Sequence, residues 1–552
     1  MSFVSSNREF LFFLALLLPA YYLLGWGLRP RLGHRLQNLL LLCASYLFYG
    51  WWDIRFLLLI VISTVVDFCC GLMIERGTMT GGQRWRSSIC LLLAAVLFAG
   101  VRWPSLAALR AEPFEWSLSL FPTPLAMWVV AGCLVAVVGA QALYPIVCGL
   151  PPRARRRLFL ILSIVTNLGI LGFFKYFNFF AESLVAGARQ LHFNVDQPTL
   201  EILLPVGISF YTFQTLGYAI DVYRGRSQAT DGFTDFMLYV GFFPQLVMGP
   251  IERAAKLLPQ LSEPRRFCSR QVVSGLQLGL WGYFKKAVIA DNVAEIANRV
   301  FASPEPDGWY VVVGLYAFAI QIYCDFSGYT DIARGVARML GVELRPNFRL
   351  PYFATNPSDF WRRWHISLST WLRDYLYIPL GGNRNGRLRT YRNLLVTMVL
   401  GGLWHGAAWN FVAWGAYHGV LLLLFQALRR GPAVEERQRR GIWFWLRVLL
   451  FFQLTCAGWL IFRAQSLAQV GDMLSAVILH ANLFQIDLSK LLPLLYCAIP
   501  LIGFQVYQDR CDEQEIWSRW PAWVQTAWCL GLYYGIVLLE APQTYPFYYF
   551  QF

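Results

Sequence analysis

The chain has 552 residues, of which 57% are apolar and 14% charged, and its formal net charge is +15. Ordinary soluble domains carry about 25% charged residues, so this chain has too little charge to cover a soluble surface. The composition excludes a cytosolic enzyme, a secreted disulfide scaffold and a disordered chain, and it indicates a polytopic helical membrane protein. Lysines and arginines cluster between apolar runs, as in loops that face anionic lipid; membrane lipid is therefore an expected partner and nucleic acid is not.

Apolar runs near the length of a spanning helix, about 20 residues, recur along the chain. They cover residues 10–28, 37–50, 56–74, 88–102, 125–148, 157–180, 203–222, 233–250, 272–300, 309–333, 394–427, 442–463, 491–507 and 522–540. The runs 37–50 and 88–102 are short, and 394–427 is either one long span or two short ones. Arg29, Arg31 and Arg35 follow the first run, which predicts a transmembrane helix with its C-terminal end in the cytoplasm rather than a signal peptide. The pattern predicts an all-α bundle of about 11–13 membrane-embedded helices plus re-entrant and interfacial ones.

Two regions do not have the pattern of simple spans. Residues 203–250 are interrupted by prolines and glycines, and residues 345–393 carry nine arginines among aromatic residues. Because such charge crosses lipid only at high cost, we expect the second region on the cytoplasmic surface or in re-entrant helices that line a cavity. We divide the chain into N-terminal transmembrane helices (1–200), a catalytic core with re-entrant helices (201–430) and C-terminal transmembrane helices (431–552).

His365 follows a helix-start signal, in which Asn356 precedes Pro357 and an acidic residue comes two positions later. At 100° per residue, an arc of about 120° on that helix is apolar or aromatic. It comprises Trp361, Trp364, His365, Leu368, Trp371 and Leu372. The pattern predicts one amphipathic helix with His365 on its buried face, as a functional group or as a packed core histidine.

His405 lies inside an apolar segment, where an ionisable side chain is a functional candidate. Its helical neighbours include Gly401, Gly402 and Ala408, so the ring faces either a slot that suits a thin acyl chain or a helix–helix packing surface. His418 would lie about 220° around a continuous helix from His405, and we expect it to be structural.

Asp325 and Asp331 are acids within an apolar run, and they either fix a histidine tautomer or cap a broken helix. The chain lacks the Gly-x-Ser-x-Gly, His-Glu-x-x-His and phosphate-loop motifs. Its 12 cysteines include no Cys-x-x-Cys pair, so neither a metal site nor a bound cofactor is expected.

The chain resembles the membrane-bound O-acyltransferases, and more closely their bacterial alginate O-acetylation and teichoic-acid D-alanyl transfer members. The matching stretches are 204–214, 242–251, 325–331, 360–379 with 381–384, 402–406 and 546–552, whereas 75–160 and 464–520 match least. Met248 stands where relatives usually carry alanine, which would narrow a passage. The resemblance implies a near-invariant histidine at His405, a second polar residue at His365, and helices around a funnel in which donor and acceptor meet.

These observations together predict a multi-pass enzyme of the bacterial inner membrane. It would move an acyl group, expected to be acetyl, from acetyl-CoA or an acyl-carrier thioester to an exopolysaccharide hydroxyl or a periplasmic acetyltransferase partner. In this interpretation the imidazole of His405 takes the hydroxyl proton, or itself forms an acyl intermediate, and His365 orients or stabilises an intermediate.

Candidate substrate-binding residues are Trp404, Trp409, Asn410, Asp325 and Arg384. Two alternatives stay open at this stage. A transporter or channel would also use re-entrant segments and an intramembrane histidine. A polysaccharide synthase would need a soluble nucleotide-sugar domain, and no sufficiently long polar stretch is present.

Overall fold

The computed structural model describes residues 7–26, 30–100, 123–193, 195, 196, 200, 202–246, 249–303, 308–428, 441–480 and 488–551. Every regular element in these ranges is helical, which confirms the predicted all-α class. Arg29 and Met248 lie outside the described residues.

Nine helical segments in the described part of the chain are long and apolar enough to cross a bilayer. They are Arg8–Gly25, Leu32–Glu75, Pro124–Cys148, Pro152–Gln190, Gly308–Met339, Trp409–Leu428, Ile442–Arg463, Leu491–Cys511 and Ala522–Leu539. The prediction of a polytopic helical membrane protein is therefore confirmed.

The chain packs into two compact units, of which the first comprises residues 8–268 and 340–343. Its helices are α1 (Asn7–Gly25), α2 (Pro30–Asp53), α3 (Leu57–Glu75), α4 (Gly81–Gly100), α5 (Pro124–Cys148), α6 (Pro152–Leu171), α7 (Phe177–Gln190), α8 (Ile208–Tyr223), α9 (Phe233–Gly241) and α10 (Ala254–Ser262). In the irregular region predicted at 203–250, α8 has 16 residues and α9 has nine. At 1.5 Å per residue both are shorter than a bilayer core, so this region forms short, interrupted helices.

The second unit comprises residues 269–339 and 344–552. Its helices are α11 (Ser269–Phe284), α12 (Asp291–Ala302), α13 (Gly308–Met339), α14 (Pro357–Arg363), α15 (Ile366–Leu372), α16 (Arg387–His405), α17 (Trp409–Leu428), α18 (Ile442–Arg463), α19 (Leu467–His480), α20 (Leu488–Cys511) and α21 (Ala522–Leu539). All seven candidate site residues belong to this unit, whereas the three-part functional division at 200 and 430 stays a prediction.

Helices α11 and α13 of the second unit approach each other through glycines. A Cβ atom on Gly275 would lie 2.5 Å from the carbonyl oxygen of Gly335, and one on Gly282 would lie 2.5 Å from that of Gly328. Only glycine permits backbones to come this close, as in other membrane helix pairs. The approach brings the π-helical turn Lys285–Ala290, which joins α11 to α12, against the acidic segment of α13.

Candidate active site

His405 is the last residue of α16, and its side chain is buried. The chain breaks at Gly406, which is extended, and resumes as α17, so the apolar run 394–427 forms two helices. A Cβ on Gly402 would lie 2.2 Å from the carbonyl oxygen of Phe411, and one on Gly415 would lie 2.3 Å from that of Met398. Gly402 and Gly415 therefore pack α16 closely against α17.

His365 does not lie in the middle of a helix, so the prediction of one continuous helix is wrong. The predicted start is confirmed, because the Asn356 side chain accepts a hydrogen bond from the backbone N–H of Asp359 at 2.9 Å. The helix then ends at Arg363, and His365 adopts a left-handed conformation with φ of 41° before α15 begins. Such a conformation costs a non-glycine residue on the order of 1–3 kcal/mol, and it occurs often at functional sites.

The break is stabilised by a neighbouring loop that supplies partners for the backbone. The N–H of Ile366 donates to the carbonyl oxygen of Asn347 at 2.8 Å, and the N–H of Arg349 donates to that of Arg363 at 3.0 Å. The turn leaves the side chain of His365 fully buried. A periodicity of 3.6 residues continues through this turn in the sequence, which explains why the break could not be recognised there.

The two histidines, 40 positions apart, lie side by side: their ring centroids are 6.5 Å apart. Trp404 contacts both rings, at 6.0 Å from His365 and 5.1 Å from His405. Other aromatic rings complete the enclosure. They are Phe326 at 4.7 Å from His365, and Trp414 at 5.0 Å, Phe462 at 5.5 Å and Tyr549 at 5.5 Å from His405. We call these five residues, with Trp404 included, the aromatic cage.

Burial lowers the pKa of His365 from its ordinary value of 6.5 to about 3. A charged imidazolium would lose its hydration inside the aromatic cage, so the ring is neutral at physiological pH. The ring can then act as a hydrogen-bonding group but not as a proton-donating imidazolium.

The shifted pKa predicts how stability depends on pH. Between about pH 6.5 and pH 3 the unfolded chain binds a proton at His365 and the folded chain does not, so stability is lost as the pH falls. From pH 7 to pH 5 the wild type should lose about 2 kcal/mol more unfolding free energy than His365→Asn. Thermal unfolding of both proteins at the two pH values measures this difference, and equal losses would contradict a buried neutral ring.

Asp325 has neighbours that the sequence did not predict. One of its carboxylate oxygens lies 2.9 Å from the ammonium nitrogen of Lys286, and the other accepts the backbone N–H of Tyr548 at 2.9 Å. The residue therefore supports the site from behind the cage, since the next residue, Phe326, contacts His365.

Three further candidate substrate-binding residues are not part of the aromatic cage. Trp409 begins α17 and is 58% exposed. Asn410 donates a side-chain hydrogen bond to the carbonyl oxygen of Ala464 at 2.9 Å, which ties the start of α17 to the chain after α18. Arg384 lies in an exposed turn before α16. The structure thus brings together His365, His405 and Trp404 from the candidate set.

Sequence reasoning assigned no role to several cage residues. A helix break lies between His405 and Trp414 in the chain, and a full helix lies between His405 and Phe462. Several helices separate His405 from Tyr549. His418, expected to be structural, is buried and packs on Trp414 at 4.8 Å, so one indole lies between it and His405. The predicted angle between His405 and His418 assumed one continuous helix. Because the helix breaks at Gly406, that angle does not apply.

A polar cavity lies next to the cage. Its lining includes Lys285, Asp331, Asn347 and Phe348. Phe348 contacts Phe326 at 5.0 Å, so two aromatic rings lie between the cavity and His365. Among the described residues, no group of three or more histidine, cysteine or acidic side chains could hold a metal ion.

A multi-pass helical protein with two buried imidazoles in an aromatic cage has the general features of a membrane-embedded enzyme. Residues 230–463 match the membrane-bound O-acyltransferase family. The protein named probable alginate O-acetylase AlgI from Azotobacter vinelandii is 38% identical over 492 residues, covering 88% of this chain and 80% of that protein. The chain belongs to the membrane-bound O-acyltransferase family.

Two other relatives show the range of this similarity. Peptidoglycan O-acetyltransferase from Helicobacter pylori is 36% identical over 357 residues, which cover 59% of this chain and 66% of that protein. Teichoic acid D-alanyltransferase from Bacillus subtilis is 24% identical over 287 residues, which cover 50% of this chain and 72% of that protein. The protein is therefore a multi-pass membrane acyltransferase, and these findings give no support to the transporter alternative.

Proposed function

We propose that this protein transfers an acetyl group from a cytoplasmic thioester to a hydroxyl of an exported polysaccharide, directly or through a periplasmic acetyltransferase partner. The observation that carries the proposal is the pair of buried imidazoles, His365 and His405, with ring centroids 6.5 Å apart inside the aromatic cage. A buried imidazole beside a second, neutral one is suited to moving a proton where water is excluded.

In the proposed reaction His405 is the general base. Its ring accepts the proton of the acceptor hydroxyl as the hydroxyl oxygen attacks the thioester carbon. The carbon–sulfur bond then breaks, the electron pair leaves with sulfur, and the imidazolium returns its proton to the thiolate. The products are an ester and a thiol. An acyl-His405 intermediate is the alternative within the same class, in which the ring nitrogen attacks first and the hydroxyl attacks second.

His365 has a different role in this scheme, because burial keeps its ring neutral. A neutral imidazole offers one N–H donor and one acceptor, which suits it to orient an intermediate or stabilise its developing charge. Trp404 contacts both rings and so fixes their relative orientation. We assign Trp404 to the substrate-binding wall of the cage.

The cage favours a short acyl group. His405 is 4% exposed, and large rings contact it on several sides. An acetyl group needs little space beside the imidazole, whereas a long chain would have to displace these rings. The donor would be acetyl-CoA or an acetylated carrier, each a thioester.

The nature of the acceptor is supported by the relatives. Proteins named for alginate and for peptidoglycan O-acetylation match this chain at 38% and 36% identity. Both names describe acetylation of a polysaccharide, and we propose the same class of acceptor here. We propose accordingly that the protein lies in the bacterial inner membrane, with the acceptor side facing the periplasm.

A direct test offers the purified protein three labelled thioesters and several polysaccharides. We expect acetyl transfer to be faster than butyryl or palmitoyl transfer, and label to appear as a base-labile ester on polysaccharide hydroxyls. Faster palmitoyl transfer would contradict the acetyl assignment. Transfer only to lipid or water would contradict the polysaccharide assignment.

Arg384 and Arg387 are exposed near the start of α16, and we place them at the cytoplasmic entrance. Coenzyme A and phosphopantetheine carriers are anionic, so guanidinium groups there would attract the donor. Reversing both charges, to glutamate, should raise the donor KM at low ionic strength with little change in kcat. Added salt should weaken the wild type toward the variant.

The alternative for these arginines is the ordinary positive charge of a cytoplasmic loop, which sets topology only. Arg226→Glu reverses one exposed arginine in the first unit, which is half the charge change of the double variant, and serves as the control. A donor KM that stays at the wild-type value in the correctly inserted double variant, or that rises equally in the control, would exclude steering.

A further inference from the structure

Three buried charged side chains form a compact cluster behind the aromatic cage. The ammonium nitrogen of Lys286 lies 2.9 Å from a carboxylate oxygen of Asp325 and 2.7 Å from one of Asp291. These side chains are only 2–3% exposed. Burying three charges is expensive unless each has partners, so the position of this cluster calls for an explanation.

The cluster binds the backbone of a segment that runs beside it, residues 540–549, which we call the strap. Lys286 donates to the carbonyl oxygen of Tyr545 at 2.9 Å, and the N–H of Tyr548 donates to Asp325 at 2.9 Å. Both members of the ion pair therefore use polar atoms on the strap. A buried backbone group without such a partner would destabilise the fold.

The strap in turn delivers aromatic rings to the histidines. The ring of Tyr549 lies 5.5 Å from that of His405 and 5.0 Å from that of Phe326, which contacts His365. Tyr548 contacts Phe462, another member of the cage, at 6.2 Å. The strap is thus one wall of the candidate site.

We infer that Lys286 and Asp325 are positioning residues for the acyl transfer: they hold the strap so that Tyr549 closes the cage over His405. The inference rests on the proposed function, because it concerns how the cage is held in its reactive geometry. A displacement of about 1 Å in a catalytic arrangement can reduce the rate 100-fold, so a loose strap would lower kcat even with both histidines present.

Two substitutions test this inference in the full-length protein. Lys286→Gln removes the ammonium group, and Asp325→Asn keeps the side-chain shape but replaces the carboxylate with a neutral amide. Asp325→Asn also preserves the test if Lys286→Gln does not fold. Both should lower kcat by about 10- to 100-fold with little change in donor KM, because the loss concerns the chemical step rather than donor binding.

Hydrogen–deuterium exchange of the strap, measured by mass spectrometry in the absence of substrate, reports how firmly the strap is attached. Kinetics alone does not measure this. The N–H of Tyr548 is bonded to Asp325, so its exchange reports directly on the attachment. We expect exchange across 540–549 to become about tenfold faster in both variants and exchange in α16 and α17 to stay at the wild-type rate.

Lys285→Gln is the matched control, since it removes a neighbouring, similarly buried lysine that pairs with a different acid: Lys285 lies 2.7 Å from Asp331. Strap exchange should keep the wild-type rate in this variant. The inference is overturned if Lys285→Gln loosens the strap equally, if strap exchange is unchanged in both test variants, or if it rises while kcat stays at the wild-type value. Absence of acyl transfer by the wild type would instead contradict the proposed function, and exchange of the strap would still be measurable.

Discussion

Substitution of His405 by alanine should lower kcat by about 10²–10⁴-fold, the range typical for loss of a general base. The acceptor hydroxyl has too high a pKa to attack a thioester unaided, and the cage excludes water that could replace the base. Because His405 is the last residue of α16, just before the break at Gly406, alanine leaves the hairpin packing intact. Turnover of labelled donor in purified protein measures the loss.

The control for this prediction is His34→Gln, which changes a histidine on α2 of the first unit. Its turnover should match the wild type. If the His405 variant inserts and purifies normally and still reaches wild-type turnover, the assignment of the base is wrong. Acylated protein that is trapped before hydroxyl attack and depends on His405 would favour the acyl-histidine route.

Alanine at position 365 should cause a smaller loss of kcat, about 10- to 100-fold, because the role proposed for His365 is orientation rather than proton transfer. Its neutral ring contacts Phe326 and Trp404 of the cage. Steady-state kinetics of the two histidine variants under the same conditions gives the comparison.

The backbone at His365 requires a second variant, since alanine tolerates a φ of 41° poorly. Asparagine adopts the left-handed region more readily and should restore thermal stability at neutral pH without restoring kcat. Full activity of His365→Asn would show that the backbone turn, not the imidazole, matters. A loss as large as that of His405→Ala in a folded protein would move His365 into the chemical step.

The class of fold followed from composition and from the lengths of the apolar runs, because both reflect the bilayer directly. His405 was found by the same logic, as an ionisable residue in an apolar helix. These inferences use local patterns only. They located the apolar run that contains His405 and the capped start of the helix before His365.

Other features depend on contacts between distant parts of the chain. The break at His365 is stabilised by Asn347, and the ion pair of Lys286 and Asp325 holds the strap through Tyr548. No periodicity indicates such pairings. The sequence therefore predicted that Asp325 was either a tautomer partner or a helix cap, whereas its contacts in the structure are a buried lysine and a backbone N–H.

Charged residues also made the number of membrane-spanning helices difficult to predict from the sequence. The run 272–300 is helical from Ser269 to Ala302, yet the described helix contains Lys285, Lys286 and Asp291 and is not among the nine spanning segments. Its charges are paired inside the second unit. Hydropathy alone cannot distinguish such a helix from a lipid-facing span, because it does not record which side chains find partners.

The central claim is acyl transfer across a membrane, and vesicles with separated compartments test it most directly. Purified protein is reconstituted with labelled acetyl thioester outside and a polysaccharide acceptor sealed inside. We predict that the label becomes esterified to the enclosed polysaccharide, that free thiol accumulates outside, and that His405→Ala abolishes both. Intact labelled thioester inside the vesicles, or ester formation only on acceptor placed on the donor side, would contradict the account.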